Sequence, residues 1–169
     1  MSRTPSRTRL LTGGVLAATT AMLATTALTS TAGAAPGPTP KDTPKVLDWL
    51  ADKRTDNKPE RPGVGSDWTT HAHLYTNKKG RFGKKIGDVS SHCTVAELNR
   101  HGYVALCHRV LRTDGGSISL SDSLDRHGPL PHGGRSAVTG GTGSYADAEG
   151  EAEITLYGPV ARFRILLDD

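Results

Sequence analysis

Ser117-Ile118-Ser119-Leu120-Ser121-Asp122-Ser123-Leu124 alternates with a period of two. Every odd position is serine, while Ile118, Leu120 and Leu124 are apolar and even. Neighbouring side chains on a strand point to opposite faces, so this stretch predicts a β-strand with one face on a core. Similar runs surround it. Thr69 to Thr76, Ile86 to Leu98 and Gly102 to Arg112 read as strands upstream. Arg135 to Thr139, Tyr145 to Tyr157 and Pro159 to Leu167 read as strands downstream. Seven or eight short antiparallel strands separated by turn residues predict an all-β barrel or sandwich. Composition agrees: 20 glycines and 10 prolines in 169 residues exclude a helical bundle or coiled coil.

The N-terminal third has a different character. Residues 1–34 read as a secretory signal peptide, with Arg3, Arg7 and Arg9, an apolar run from Leu10 to Leu28, and Ala32-Gly33-Ala34 at the cut. This predicts a secreted, extracellular protein that does not engage the membrane after cleavage. The leader holds three of the 21 basic residues and no acid, so the remainder carries 18 basic against 17 acidic. The basic excess is therefore no argument for nucleic acid as a partner. Residues 35–63 hold six of the prolines and read as a linker. Within it, Thr43 as a cap, Pro44 at the first turn, and Val46, Trp49 and Leu50 on one face predict a short helix over 44–53. The folded domain is expected over 64–169. Lys78, Lys79, Arg81, Lys84 and Lys85 form a basic turn at 78–85, read first as a solvated loop and second as a surface for an anionic partner.

Cys93 and Cys107 are the only cysteines. In an exported chain an even count favours one disulfide, and a two-cysteine metal site is the alternative.

The run Gly140-Gly141-Thr142-Gly143-Ser144-Tyr145-Ala146-Asp147-Ala148-Glu149-Gly150 resembles the G-G-T-G-x-[YF]-x-x-A-x-G signature of the allene oxide cyclase and dirigent protein barrels. Gly83, Gly87, Cys93, Cys107 and the strand from Gly116 follow in the order of bacterial members. The resemblance covers about residues 65–168. It implies an eight-stranded antiparallel barrel with an apolar lumen. Plant members cyclise an unstable epoxide or steer phenoxy-radical coupling without a cofactor, and form dimers and trimers. A cofactor-free homo-oligomer is thus implied, but no counterpart of the plant catalytic acids or arginines is found here.

Face and register follow from alternation and turns. Even residues Val104, Leu106 and Val110 are expected to face the lumen, as are Leu120, Ala148 and Ile154; beyond Gly158 the odd residues Phe163 and Ile165 do. Leu106, Val110, Leu120, Ala148 and Phe163 are thus the expected ligand-binding set, with Tyr103 and Arg109 outward. A three-residue loop, Asp114-Gly115-Gly116, pairs Thr113 with Ser117 and so Asp122 with His108. Pairing Leu98 with Gly102 sets Cys93 against Cys107, His92 against His108, and Asp88 against Arg112. His92, His108 and Asp122 then form one row on the apolar face. Three readings apply: a register-setting polar plug, a general acid–base group, or a metal site. His127 and His132 fall in a loop, 125–134, placed to cover a barrel mouth.

No P-loop, dinucleotide fingerprint, H-E-x-x-H or G-x-S-x-G elbow is present. The leading expectation is a barrel binding a small hydrophobic molecule, including a cofactor-independent cyclase or isomerase with His108, Asp122 and His92 as catalytic groups. A non-catalytic carrier is the first alternative. An extracellular interaction protein using the basic turn at 78–85 is the second.

Overall fold

The computed structural model describes residues 45–168. Eight strands run in chain order: β1 Lys45–Asp56, β2 Asp67–Lys78, β3 Arg81–Asn99, β4 Gly102–Thr113, β5 Gly116–His127, β6 His132–Gly141, β7 Glu149–Leu156 and β8 Val160–Asp168. Each pairs antiparallel with the next, and β8 returns to β1, closing the barrel. Closure leaves no strand edge unpaired, which an open sheet of this size would.

The first strand corrects the sequence reading. Lys45–Asp56 is β-strand, not a helix over 44–53, and the barrel begins at Lys45 instead of at residue 64. The capping signal at Thr43-Pro44 is local and weak. Pairing on both sides overrides it: Trp49 lies opposite Phe163 of β8 and Thr76 of β2. Trp49 and Ala51 are buried in the main core. The signal peptide expected at 1–34 and the first ten residues of the expected linker lie outside the described residues.

Inward residues follow the expected parity in β5, β7 and β8. Ile118, Leu120 and Leu124 are buried, as are Ala152, Ile154, Phe163, Ile165 and Leu167. With Leu74 and Leu111 they fill one end of the barrel. At the other end Trp68, Val95, Ala105 and the Cys93–Cys107 disulfide form a second, smaller cluster.

β4 departs from its expected parity. Ala105, Cys107, Arg109 and Leu111 are buried, whereas Leu106 is 52% exposed. Val104, His108 and Val110 lie on the outer face with it, so Leu106 and Val110 do not face the lumen. The register between β4 and β5 also differs from expectation by one residue. Thr113 pairs with Gly116, so the turn is Asp114-Gly115 alone and Asp122 sits opposite Cys107. Gly116 belongs to the ladder at φ +132°, and a Cβ there would collide with the carbonyl of Thr142. Only glycine fits such a position. Between β3 and β4 the expected pairs hold: Cys93 with Cys107, His92 with His108, and Asp88 with Arg112. The strands enter that register one residue late, with Leu98 opposite Tyr103, and a bulge at Ala96 restores it.

Candidate functional site

The barrel encloses a cavity of about 650 Å³. It opens at the end bearing the β5–β6 and β7–β8 loops, where Gly128, Leu130 and Pro159 line it. Its deeper wall is apolar, with Ala51, Ala72, Val89, Leu156, Ala161 and Phe163. Three alanines on neighbouring or paired strands leave space that leucines would fill. The larger Leu74, Leu111, Ile118, Leu120 and Ile165 occupy the opposite end and close it.

A buried polar network stands in the wall between these regions. Arg109 Nε donates to Asp122 Oδ2 at 2.8 Å and Nη2 donates to Oδ1 at 3.1 Å. Arg109 Nη1 donates to Ser91 Oγ at 3.3 Å, and Ser136 Oγ donates to the Ser121 carbonyl at 3.0 Å. Arg109 is 4% exposed and Asp122 7%. A bidentate guanidinium–carboxylate pair is what allows both charges to stay out of water. Arg109 therefore faces inward, against expectation, because Asp122 faces inward too.

The mouth is cationic. A bulge at Arg54 shifts the parity of β1, so both Lys53 and Asp56 line the cavity, and Lys53 Nζ donates to Asp56 Oδ2 at 2.8 Å. Burial alone would raise the Asp56 carboxyl, but bonds from Lys53 and the Lys58 backbone hold it below its ordinary value. Lys58 Nζ lies 3.5 Å from Tyr103 Oη and 5.8 Å from that ring's centre. The Arg126 guanidinium sits over Trp68, 5.7 Å from its centre, and Trp68 meets Tyr103 edge to face. Arg126 Nε and both ring nitrogens of His132 are buried with no hydrogen-bond partner among the described residues. Burial pushes the His132 imidazole below its ordinary value, and the positive charges of Arg126, His127 and Lys58 push the same way. His132 is thus mostly neutral at pH 7.

The expected row does not form. His92 and His108 stand on the outer face, exposed, and His92 Nε2 lies 3.3 Å from Asp67 Oδ2. Asp122 is inside, separated from them by the sheet and occupied by Arg109. Among the described residues no cluster of three or more His, Cys, Asp or Glu side chains is placed to hold a metal. Of the expected ligand-binding residues, Phe163 lines the cavity. Leu120 and Ala148 are buried in the closed-end core, and neither reaches the cavity. Cys93 and Cys107 are disulfide-bonded, and Cys93 lines the cavity wall. His132 does stand at a mouth, although as the first residue of β6 and not within a loop.

Arg126, Lys58 and Trp68 have no counterpart among the expected site residues, and Tyr103, expected outward, lines the cavity instead. A signal for Arg126 exists: the even series 118, 120, 122, 124 reaches it when β5 is carried two residues past Leu124. For Arg109 the signal is indirect, since an inward Asp122 demands a cation on an adjacent strand.

No protein-family model and no curated protein sequence matches the chain. Solved structures do. One is a pyocyanin demethylase, with 19% identity, a TM-score of 0.60, and 73% of this chain and 99% of that one covered. Another is a pterocarpan synthase dirigent protein at 15% identity and a TM-score of 0.57, with 82% and 97% covered. A third is a nonspecific heme-binding cyclase catalysing a 4 + 2 cycloaddition in neoabyssomicin biosynthesis, at 17% identity and a TM-score of 0.52, with 75% and 64% covered. The closed antiparallel order of eight strands and these likenesses together give the chain an eight-stranded barrel fold shared with these structures, a dirigent protein and a cyclase among them.

Proposed function

We propose that this chain is a secreted barrel that binds a small, largely apolar molecule in its lumen. The cavity of about 650 Å³ carries the reading, being open at one end and floored by small apolar side chains. That volume lies within the range of ordinary ligand pockets. The three similar structures are named for a demethylase, a dirigent protein and a cyclase, which supports a small organic molecule as occupant. Export is supported by the leader and by the disulfide, a bond that persists in oxidising compartments.

Native mass spectrometry of the protein purified from its own culture medium tests this. The expected result is an organic mass retained by the mature chain and lost in Ala161→Trp, which fills the cavity. A clean protein mass, with no neutral aromatic probe bound at micromolar concentration, would overturn it.

A second reading, cofactor-independent isomerisation or cyclisation in the same cavity, is favoured by His132. A neutral imidazole with two free nitrogens against an apolar cavity suits general acid–base work. His132, not His108, is the group whose replacement by phenylalanine should then abolish turnover while a neutral aromatic probe still binds.

A further inference from the structure

The charges at the mouth do not cancel. Lys53 pairs with Asp56 and Arg109 with Asp122. Arg126 and Lys58 enter no ion pair among the described residues, although both line the cavity. A buried guanidinium N–H without a partner is costly, and native proteins rarely keep one. Here one is kept beside a buried imidazole that also lacks partners. Trp68 below Arg126 and Tyr103 beside Lys58 support these cations without neutralising them.

We propose that the molecule held in the cavity carries an oxyanionic group on an apolar body, and that the anion docks between Arg126 and His132 with Lys58 beside it. This rests on the reading of the cavity as a small-molecule site and adds the ligand's charge and orientation. The apolar body points inward, toward Ala72, Ala161 and Phe163, and the anion stays at the mouth. The side-on edge of a guanidinium, Nε with one Nη, matches two oxygens of a carboxylate or sulfonate. His132 donates through either ring nitrogen once its tautomer is set by the ligand. Phe163 and the alanines give the body no polar partner, so reversal of the ligand would strand the anion in the dry end.

Two fluorescent probes that differ only by the anion test this on the full mature chain: 8-anilino-1-naphthalenesulfonate and N-phenyl-1-naphthylamine. Both are expected to bind, and Ala161→Trp should exclude both. Arg126→Gln should weaken the sulfonate about tenfold to a hundredfold, as for loss of a charge-assisted bond, and leave the neutral probe within about twofold. Arg126→Lys keeps the charge, guards against misfolding as an explanation, and should recover part of the sulfonate affinity. If Arg126→Gln weakens both probes equally, or neither, the oxyanion proposal is wrong while the cavity reading stands. If neither probe binds the unaltered protein, the cavity reading fails and takes this one with it.

Discussion

Arg109 and Asp122 face each other across β4 and β5 inside the wall, bonded through two nitrogens and two oxygens at 2.8 and 3.1 Å. Removing one partner leaves a buried charge without its neighbour. Asp122→Ala should therefore destabilise the protein by about 3–5 kcal/mol. Replacing both by apolar residues of similar volume, Arg109→Met with Asp122→Leu, should recover most of that loss. Urea unfolding of the two singles and the double gives the coupling directly. Additive losses would show that the pair does not act as a unit. This pair also shows what the sequence could disclose at residue scale. The serine stripe of β5 put Asp122 inside correctly. Arg109 is expected outside by the parity of Val104, Leu106 and Val110, which are the larger apolar residues of β4. Its counter-charge lies 13 residues away, and a one-residue error in the turn concealed it. The expected pairing of His92 with His108 holds, but on the outer face, because Val104, Leu106 and Val110 mark the even side of β4 as apolar while the lumen takes Ala105, Cys107 and Leu111.

Strands with a clear period of two are legible, and β2 and β4 through β8 lie within about four residues of the expected spans, although β7 starts at Glu149 after a short 3-10 turn over Gly143–Tyr145. β3 starts five residues early, at Arg81, so the basic stretch 78–85 is a hairpin turning at Lys79-Gly80 and not a loop. β1 is not legible in this way. Its Val46, Trp49 and Leu50 sit at spacings that suit a helix, and prolines surround it. The strand is dictated by its neighbours: without it β2 and β8 would each present an open edge. Gly150 shows the opposite case, in which the local residue does reveal the packing. It adopts φ +128°, and a Cβ there would collide with the carbonyl of Leu166. If β1 is an integral stave, Trp49→Ala should cost about 3–5 kcal/mol, as for other buried aromatics. A thermal or urea transition measures it. A change below about 1 kcal/mol would mean that 45–56 is an appendage and the barrel holds without it.

For the whole molecule, strand number and turn signals leave barrel and sandwich both open, and only the resemblance carried by residues 140–150 points to the closed barrel; the cavity is not legible at all. Whether a lumen is open depends on side-chain volumes at matching heights, and the alanines that open it are ordinary residues in sequence. The titratable groups that the fold shifts then set how it responds to acid. His132 is held below its ordinary value by burial and then by Arg126, His127 and Lys58. His73, partly exposed on the outer face, is lowered by partial desolvation and then by Lys85 and Arg54. In both cases the unfolded chain takes up a proton first as pH falls, so stability is full above about pH 6.5 and declines below it. Asp48 is lowered by its hydrogen bonds from Arg162, against some burial, and Asp56 by Lys53 and the Lys58 backbone against the larger effect of burial. Their contribution is present above the ordinary carboxylate value of 3.8 and is lost as pH falls through their lower folded values. Two separate steps are therefore expected in the urea midpoint between pH 7.5 and 2.5. His132→Phe should shrink the first, His73→Phe, at a partly exposed position, should change it less, and neither should move the second. Arg162→Ala should shrink the second alone, since it releases Asp48. A midpoint that stays flat from pH 7.5 to 5, or a first step that His132→Phe leaves unchanged, would mean that the mouth is wetter than its geometry implies. In that case His132 would not be the desolvated group on which the anion site and the acid–base reading both depend.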